Sequence, residues 1–217
     1  MIIAIDGPAA SGKGTIAKGL AQHFGLPHMD TGLLYRAVGH ALLEQLNAPD
    51  LSAPDLVDRA EELARNLDVT RLDPIVLGAA DVAMAAAKVA RIPRVRAALF
   101  EVQTDFATQD GGAVLDGRDI GSRICPQAEA KLFITASAQV RAARRARQLQ
   151  AQGIEVNEAH VLDQIRLRDE SDKENPAGAF YPGEGALLLD TSELDIEAAL
   201  EAAIALVDKA TDQGMDG

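Results

Sequence analysis

The sequence predicts an α/β fold: a parallel β-sheet flanked by helices. Three observations predict it. Short apolar runs such as "IIAID", "AKLFITA" and "ALLLDTS" recur along the chain with helical stretches between them. These runs carry little polar alternation, as strands covered on both faces do. A glycine-rich loop, "GPAASGKGT", sits between the first such strand and the first helix.

The elements follow in order. Ile2 to Asp6 reads as a buried parallel strand ending in a Gly turn. The helix from about Gly12 to Phe24 puts Ile16, Ala17, Leu20, Ala21 and Phe24 on one side, and Gly25 stops it. "LPHMD" reads as a short strand ending at Asp30, and "TGLLYRAVGHALLEQL" as a helix with Leu34, Val38, Ala41, Leu42 and Leu46 spaced for burial. "NAPDLSAPDL" is a loop, after which Ser52 caps a helix with Pro54 near its first turn. A less regular piece, "DVTRLDPIVLG", precedes an Ala-rich run that is helical on both sides of a break at Pro93. Ala113 to Leu115 is a strand ending in a polar cluster, and "AKLFITA" is another. A long helix ends near Gly153 and a second starts at Asn157. "ALLLDTS" is the last strand, "LDIEAALEAAIALVDKA" the closing helix, and "TDQGMDG" a frayed tail.

Composition narrows the function. The chain has 217 residues, 47% apolar and 25% charged, enough for one compact domain with insertions. Its formal net charge of −12 argues against a general nucleic-acid binder and requires any anionic substrate to be held by local basic clusters. A lone Cys125 beside Pro126 allows no internal disulfide and reads as structural. No apolar run approaches the ~20 residues of a membrane span. The opening apolar stretch is only Met1 to Ile5, with no basic segment before it. These features predict a reduced, soluble, cytoplasmic protein with no membrane or nucleic-acid partner, monomeric by default.

The chemistry sits in the loops. Gly7, Gly12 and Lys13 match the phosphate-binding pattern G-x-x-x-x-G-K, but Gly14 follows and the hydroxyl arrives at Thr15. Backbone N–H groups, a helix N-terminus and the mobile charge of Lys13 suit a polyphosphate. "DTGLLYR" places Asp30 at a strand end and Arg36 about a turn beyond; the alternative is a capping Asp and a surface Arg. In "LDGRDIG", an apolar strand delivers Asp116 to its C-terminal end, as a Mg²⁺-holding acid requires, and Arg118 and Asp119 follow. Arg141, Arg144 and Arg145 share one face of a helix, which taken alone reads as a solvated stripe. Arg168, Asp169 and Asp172 share a face with Ile165; Arg168 and Asp172 are spaced for a modest helix salt bridge.

"GKGT" resembles the loop ending of nucleoside monophosphate kinases. Together, "GPAASGKGT", "DTGLLYR", "IPRVRAAL", "LDGRDIG" and "RDESD" resemble the bacterial cytidylate kinase family, in order and over nearly the whole chain. The resemblance implies a P-loop kinase core (1–36 and 101–217), a mostly helical CMP-binding insertion (37–100) and a short lid (146–178). It implies transfer of the γ-phosphoryl group of ATP to CMP or dCMP, with Mg²⁺ bound mainly through ATP and with Asp116 as a possible further ligand. By matched position, the loop Gly7, Pro8, Ala9, Ala10, Ser11, Gly12, Lys13, Gly14 and Thr15 would hold the ATP phosphates. Arg36 and Arg118 would grip the CMP phosphate, with Thr31 nearby. Arg96 and Asp119 would read the cytosine edge, and Arg168 and Asp172 the ribose. Arg141, Arg144 and Arg145 would lead into the lid and meet the transferring phosphate. Three departures bear on base choice: a short Arg71–Ala87 stretch, Ala87 where the family has Ser, and Asn175 where it has Arg, inside the unusual segment Glu174–Gly185. A P-loop kinase for another small acceptor (UMP, AMP or a shikimate-like acid) and a nucleotide-dependent switch remain alternatives.

Overall fold

The structure is a computed structural model and describes residues 1–46, 55–151, 153–174 and 181–214. It divides into two compact units, Met1–Met29 with Ala107–Gly217, and Asp30–Phe106.

The first unit is built on a five-stranded sheet. The strands are β1 (Ile2–Asp6), β2 (His28–Asp30), β3 (Ala113–Gly117), β4 (Ala130–Thr135) and β5 (Leu187–Asp190), ordered β2-β3-β1-β4-β5. β1 pairs in parallel with β3 and with β4, and β4 with β5. β1 is therefore central, and the chain departs from it to opposite sides, which leaves a crevice at the strands' C-terminal ends. Asp6 lies opposite Gly117 in this register, so the loops after β1 and β3 start side by side.

Helices α1 (Lys13–Phe24) and α8 (Ile196–Gly214) pack on this sheet. Ile3, Ile5, Ile16, Leu20, Leu132, Ile134 and Val207 form its core and are almost wholly buried. Each such side chain contributes about 1.5–3 kcal/mol relative to exposure. A satellite cluster of Ala142, Ala146, Val161 and Ile165 joins α6 (Ala138–Ala151) to α7 (Glu158–Lys173). Ser137 Oγ accepts the N–H of Val140 at the start of α6, and Asn157 Oδ1 accepts that of Ala159 in α7.

The second unit holds α2 (Thr31–Leu46), α3 (Leu56–Arg65), α4 (Ala80–Val89) and α5 (Pro93–Ala107). Asp30 Oδ1 accepts the Gly32 N–H at 2.9 Å, so the acid at the end of β2 caps α2. α2 lies on α4 so closely that a Cβ on Gly39 would stand 2.9 Å from Ala86 N and 3.0 Å from Ala85 Cβ. Pro93 opens α5, which its fixed φ and missing N–H suit.

Several expectations need correction. The strand read as Ala113–Leu115 continues to Gly117, because register with β1 carries Asp116 and Gly117 into the sheet. Asp55 stands at the N-cap of α3; the expected cap Ser52, and Pro54, lie outside the described residues. The tail does not fray from Thr211. α8 runs on to Gly214, and Thr211 Oγ1 donates to the carbonyls of Val207 and Asp208. The less regular piece expected ahead of the Ala-rich run forms two short 3₁₀ turns, Val69–Arg71 and Val76–Gly78, before α4. No helix among the described residues is long and apolar enough to cross a membrane.

Candidate active site

The loop between β1 and α1 is shaped by its backbone. Gly7 has φ +152°, and a Cβ there would fall 2.0 Å from the Ile134 carbonyl oxygen, so only glycine fits. Gly12, with φ +91°, turns the chain into α1. Its carbonyl already accepts the N–H groups of Thr15 and Ile16, and as a glycine it offers no side chain to cap the helix. The N-terminal N–H groups of α1 thus carry the helix's positive end beside Lys13, the arrangement that attracts phosphate oxygens. Ala10 sits at φ +61°, a strained conformation for a residue with a Cβ.

The loop is braced from behind. Ser11 O accepts Arg144 Nη1 at 3.2 Å and Thr191 Oγ1 at 3.1 Å. Arg144 also donates to Thr191 Oγ1 at 2.9 Å and to the Thr191 carbonyl at 2.7 Å. Arg141 donates to the Ala9 carbonyl at 3.4 Å. The Ser11 hydroxyl is buried and has no hydrogen-bond partner among the described residues.

Asp116 is 2% exposed at the end of β3. Its Oδ1 lies 2.8 Å from His28 Nε2, and its Oδ2 3.9 Å from where a Cβ on Gly14 would stand. The carboxylate therefore faces the first turn of α1.

The turn after β3 carries Arg118 and Asp119. Asp6, at the end of β1, accepts the N–H of Ile120 on one oxygen and that of Gly121 on the other, both at 2.8 Å. Burial pushes the Asp6 carboxyl up to about 6; Asp119 adds to this, while the two N–H bonds and Arg118 oppose it. Arg118 Nε donates to Asp172 Oδ2 of α7 at 2.9 Å. Asp119 is 7% exposed.

In the second unit, Arg36 Nη1 donates to the Leu77 carbonyl at 2.8 Å, and Thr31 is buried. The Arg96 guanidinium lies 5.8 Å from the Tyr35 ring centroid, within cation–π range. Ala87 is exposed on α4.

The chain matches the family described as "Cytidylate kinase" over residues 3–209. It is 53% identical to the cytidylate kinase of Methylocella silvestris, over 98% of this chain and 96% of that protein. The cytidylate kinase of Xanthobacter autotrophicus is 54% identical over 96% of this chain and 97% of its own. The chain belongs to the cytidylate kinase family. A solved structure of an uncharacterized protein from Eubacterium ventriosum shares the fold, with a TM-score of 0.52 at 16% identity, covering 96% of this chain and 98% of that one.

For this member of the cytidylate kinase family, two readings of the arginines and acids change. The expected solvated stripe on α6 does not hold: Arg141 is buried and grips Asp169 of α7 with two bonds, at 2.9 and 2.6 Å. Arg144 turns to the loop, and Arg145, also half-buried, donates to Gln148 at 2.8 Å. Asp172, spaced for Arg168, receives Arg118 from another element. Arg168 lies on the same helix, one turn beyond the cluster's buried Ile165 and on the same face. Asn175 lies outside the described residues. Sequence reading missed Asp6, His28 and Thr191. Asp6 and His28 did carry a signal, as polar residues at the ends of apolar strands, but their partners lie about 90 to 115 residues away.

Proposed function

We propose that the chain transfers the γ-phosphoryl group of ATP to CMP or dCMP, giving ADP and CDP or dCDP. The observation that carries this reading is the pairing of β1 with β3. In a chain of the cytidylate kinase family, it sets an intact phosphate loop beside a turn bearing Asp116, Arg118 and Asp119.

Such a transfer needs the two phosphates held in line and the charge of the equatorial oxygens neutralised; it needs no protein nucleophile. Residues 7–15 cradle the ATP phosphates, and Lys13 follows the transferring group. Arg144 and Thr191 keep the loop in shape through the Ser11 carbonyl. We assign Arg118 to the acceptor phosphate, Asp119 to the cytosine amino group, and Arg168 and Asp172 to the ribose. In the second unit we assign Thr31, Arg36 and Arg96 to the acceptor nucleotide. The region 37–100 serves as the acceptor-binding insertion and 146–178 as the lid; Arg145, which leads into the lid, meets the transferring phosphate.

Among the described residues, Asp116 is the side chain we assign to Mg²⁺. The buried Asp116 carboxylate offers an oxygen to the first turn of α1, and hard cations take oxygen ligands. Among the described residues no three His, Cys, Asp or Glu side chains stand together as a cage, so the polyphosphate supplies most of the ion's ligands. When bound, the ion neutralises phosphate charge. We further propose a cytoplasmic, monomeric enzyme.

A coupled ADP-release assay across CMP, dCMP, UMP, AMP and shikimate tests the function. CMP and dCMP should give the highest kcat/KM. A preference for another acceptor would move the chain to a different P-loop kinase activity, and ADP release indifferent to acceptor would make it a nucleotide switch.

A further inference from the structure

We propose that Asp6 is a positioning residue for the acceptor, its carboxylate fixing the turn that aims Arg118 and Asp119. The inference rests on the phosphoryl-transfer reading above. Asp6 closes β1 with 3% exposure and lies opposite Gly117 on one side and Phe133 on the other. Its two oxygens accept two successive N–H groups, of Ile120 and Gly121. Those donors open the short turn Ile120–Ile124, and the two residues just before it are Arg118 and Asp119. Two bonds from two oxygens set both the place and the direction of this backbone; one bond would leave a pivot.

Only an ionised carboxylate does this. It offers acceptors on both oxygens, whereas an amide offers one acceptor and turns a donor toward the second N–H. The charge is held against its surroundings. Burial, and to a lesser extent Asp119, raise the Asp6 carboxyl against the two N–H groups and Arg118, leaving it at about 6. The Cys125 thiol feels the same field: burial first, then Asp6, push it up to about 11. Asp6 touches no part of the loop that holds ATP through these bonds, so its effect should fall on the acceptor side.

The test uses Asp6→Asn and the wild type. Turnover of CMP by the wild type checks the underlying reading by itself. If that holds, the variant should show a KM for CMP raised by ~10-fold or more, because a small misaiming of binding groups is costly. Its KM for ATP should change by less than ~3-fold. The wild-type kcat/KM for CMP should fall on acidification through about 6. The acceptor's own phosphate also ionises near ~6, but that contribution is common to both proteins, so the difference between their profiles reports Asp6. An equal rise in both KM values would assign Asp6 to the phosphate loop and overturn the proposal, as would unchanged kinetics. If the variant does not fold, wild-type NMR decides. The amide protons of Ile120 and Gly121 and the Arg118 Nε–H should shift along one titration curve. A flat Arg118 response beside titrating amides would overturn the positioning role.

Discussion

Replacing Arg141 by alanine should destabilise the protein by about 3–4 kcal/mol, chiefly by stranding Asp169. Arg141 is 5% exposed and makes a two-pronged pair with Asp169, whose side chain is 17% exposed. Breaking a buried pair by removing one partner costs roughly 3–5 kcal/mol, and the residual exposure of Asp169 places this pair at the lower end. Arg141 Nε also donates to the Ala136 carbonyl at 2.9 Å; losing a hydrogen bond to a charged donor adds about 1 kcal/mol once water re-enters. For a chain of this size each kcal/mol lowers Tm by ~2–4 °C, so a fall of about 6–16 °C is expected. Urea unfolding with an unchanged m-value gives the free energy, and calorimetry the Tm. A double-mutant cycle with Asp169→Ala isolates the pair: in that background Arg141→Ala should cost only ~1 kcal/mol. A single-variant loss under ~1 kcal/mol would refute the reasoning, because Arg141 would then behave as an exposed ion pair.

Lys13→Ala should lower turnover at least ~10³-fold with stability nearly unchanged, measured by steady-state kinetics beside a melting curve. Gly39→Ala should destabilise by about 1 kcal/mol in urea. Helix propensity gains up to ~1 kcal/mol, but the new Cβ meets Ala86 N at 2.9 Å, and overpacking costs ~1–3 kcal/mol. Asp6 should make stability fall with rising pH. Its folded pKa is raised from 3.8 to about 6, so its stabilising protonation is complete below 3.8 and is lost as pH passes 6. Urea midpoints at pH 5 and pH 7 should show wild type losing about 1 kcal/mol more than Asp6→Asn over that range.

The sheet was legible because its strands are apolar on both faces and bounded by turn residues; β1, β4 and β5 fall where periodicity puts them. The phosphate loop was legible because its chemistry is local: Gly7, Gly12 and Lys13 act through backbone conformation and one helix end within a single turn. The burial of Arg141 was not. Its spacing with Arg144 and Arg145 defines a face, but whether that face meets water or α7 depends on a helix that begins some twenty residues later. The extra turn of α8 was hidden for the opposite reason. Thr211, Asp212 and Gly214 are poor helix formers, and the core contacts of Val207 and Ala210 carry the helix past them.

The residues that hold the candidate site differ in kind from those that fill it. Lys13, Arg118 and Asp119 stand in motifs because the reaction dictates their type and spacing. Asp6, Thr191 and Asp169 answer to the fold: each satisfies a group on another element, and its identity follows from that element's geometry alone. Thr191 shows the logic in one residue. Its N–H donates to the Thr135 carbonyl at 2.8 Å, which continues the β4–β5 ladder past its last pair, while its hydroxyl reaches the Ser11 carbonyl in the phosphate loop. The sheet's edge and the loop's shape are thereby fixed by the same residue. Arg144 then lies across both, on the Thr191 and Ser11 carbonyls. A positive charge so held keeps its place near the loop before any phosphate arrives, and orientation settled during folding need not be supplied during catalysis.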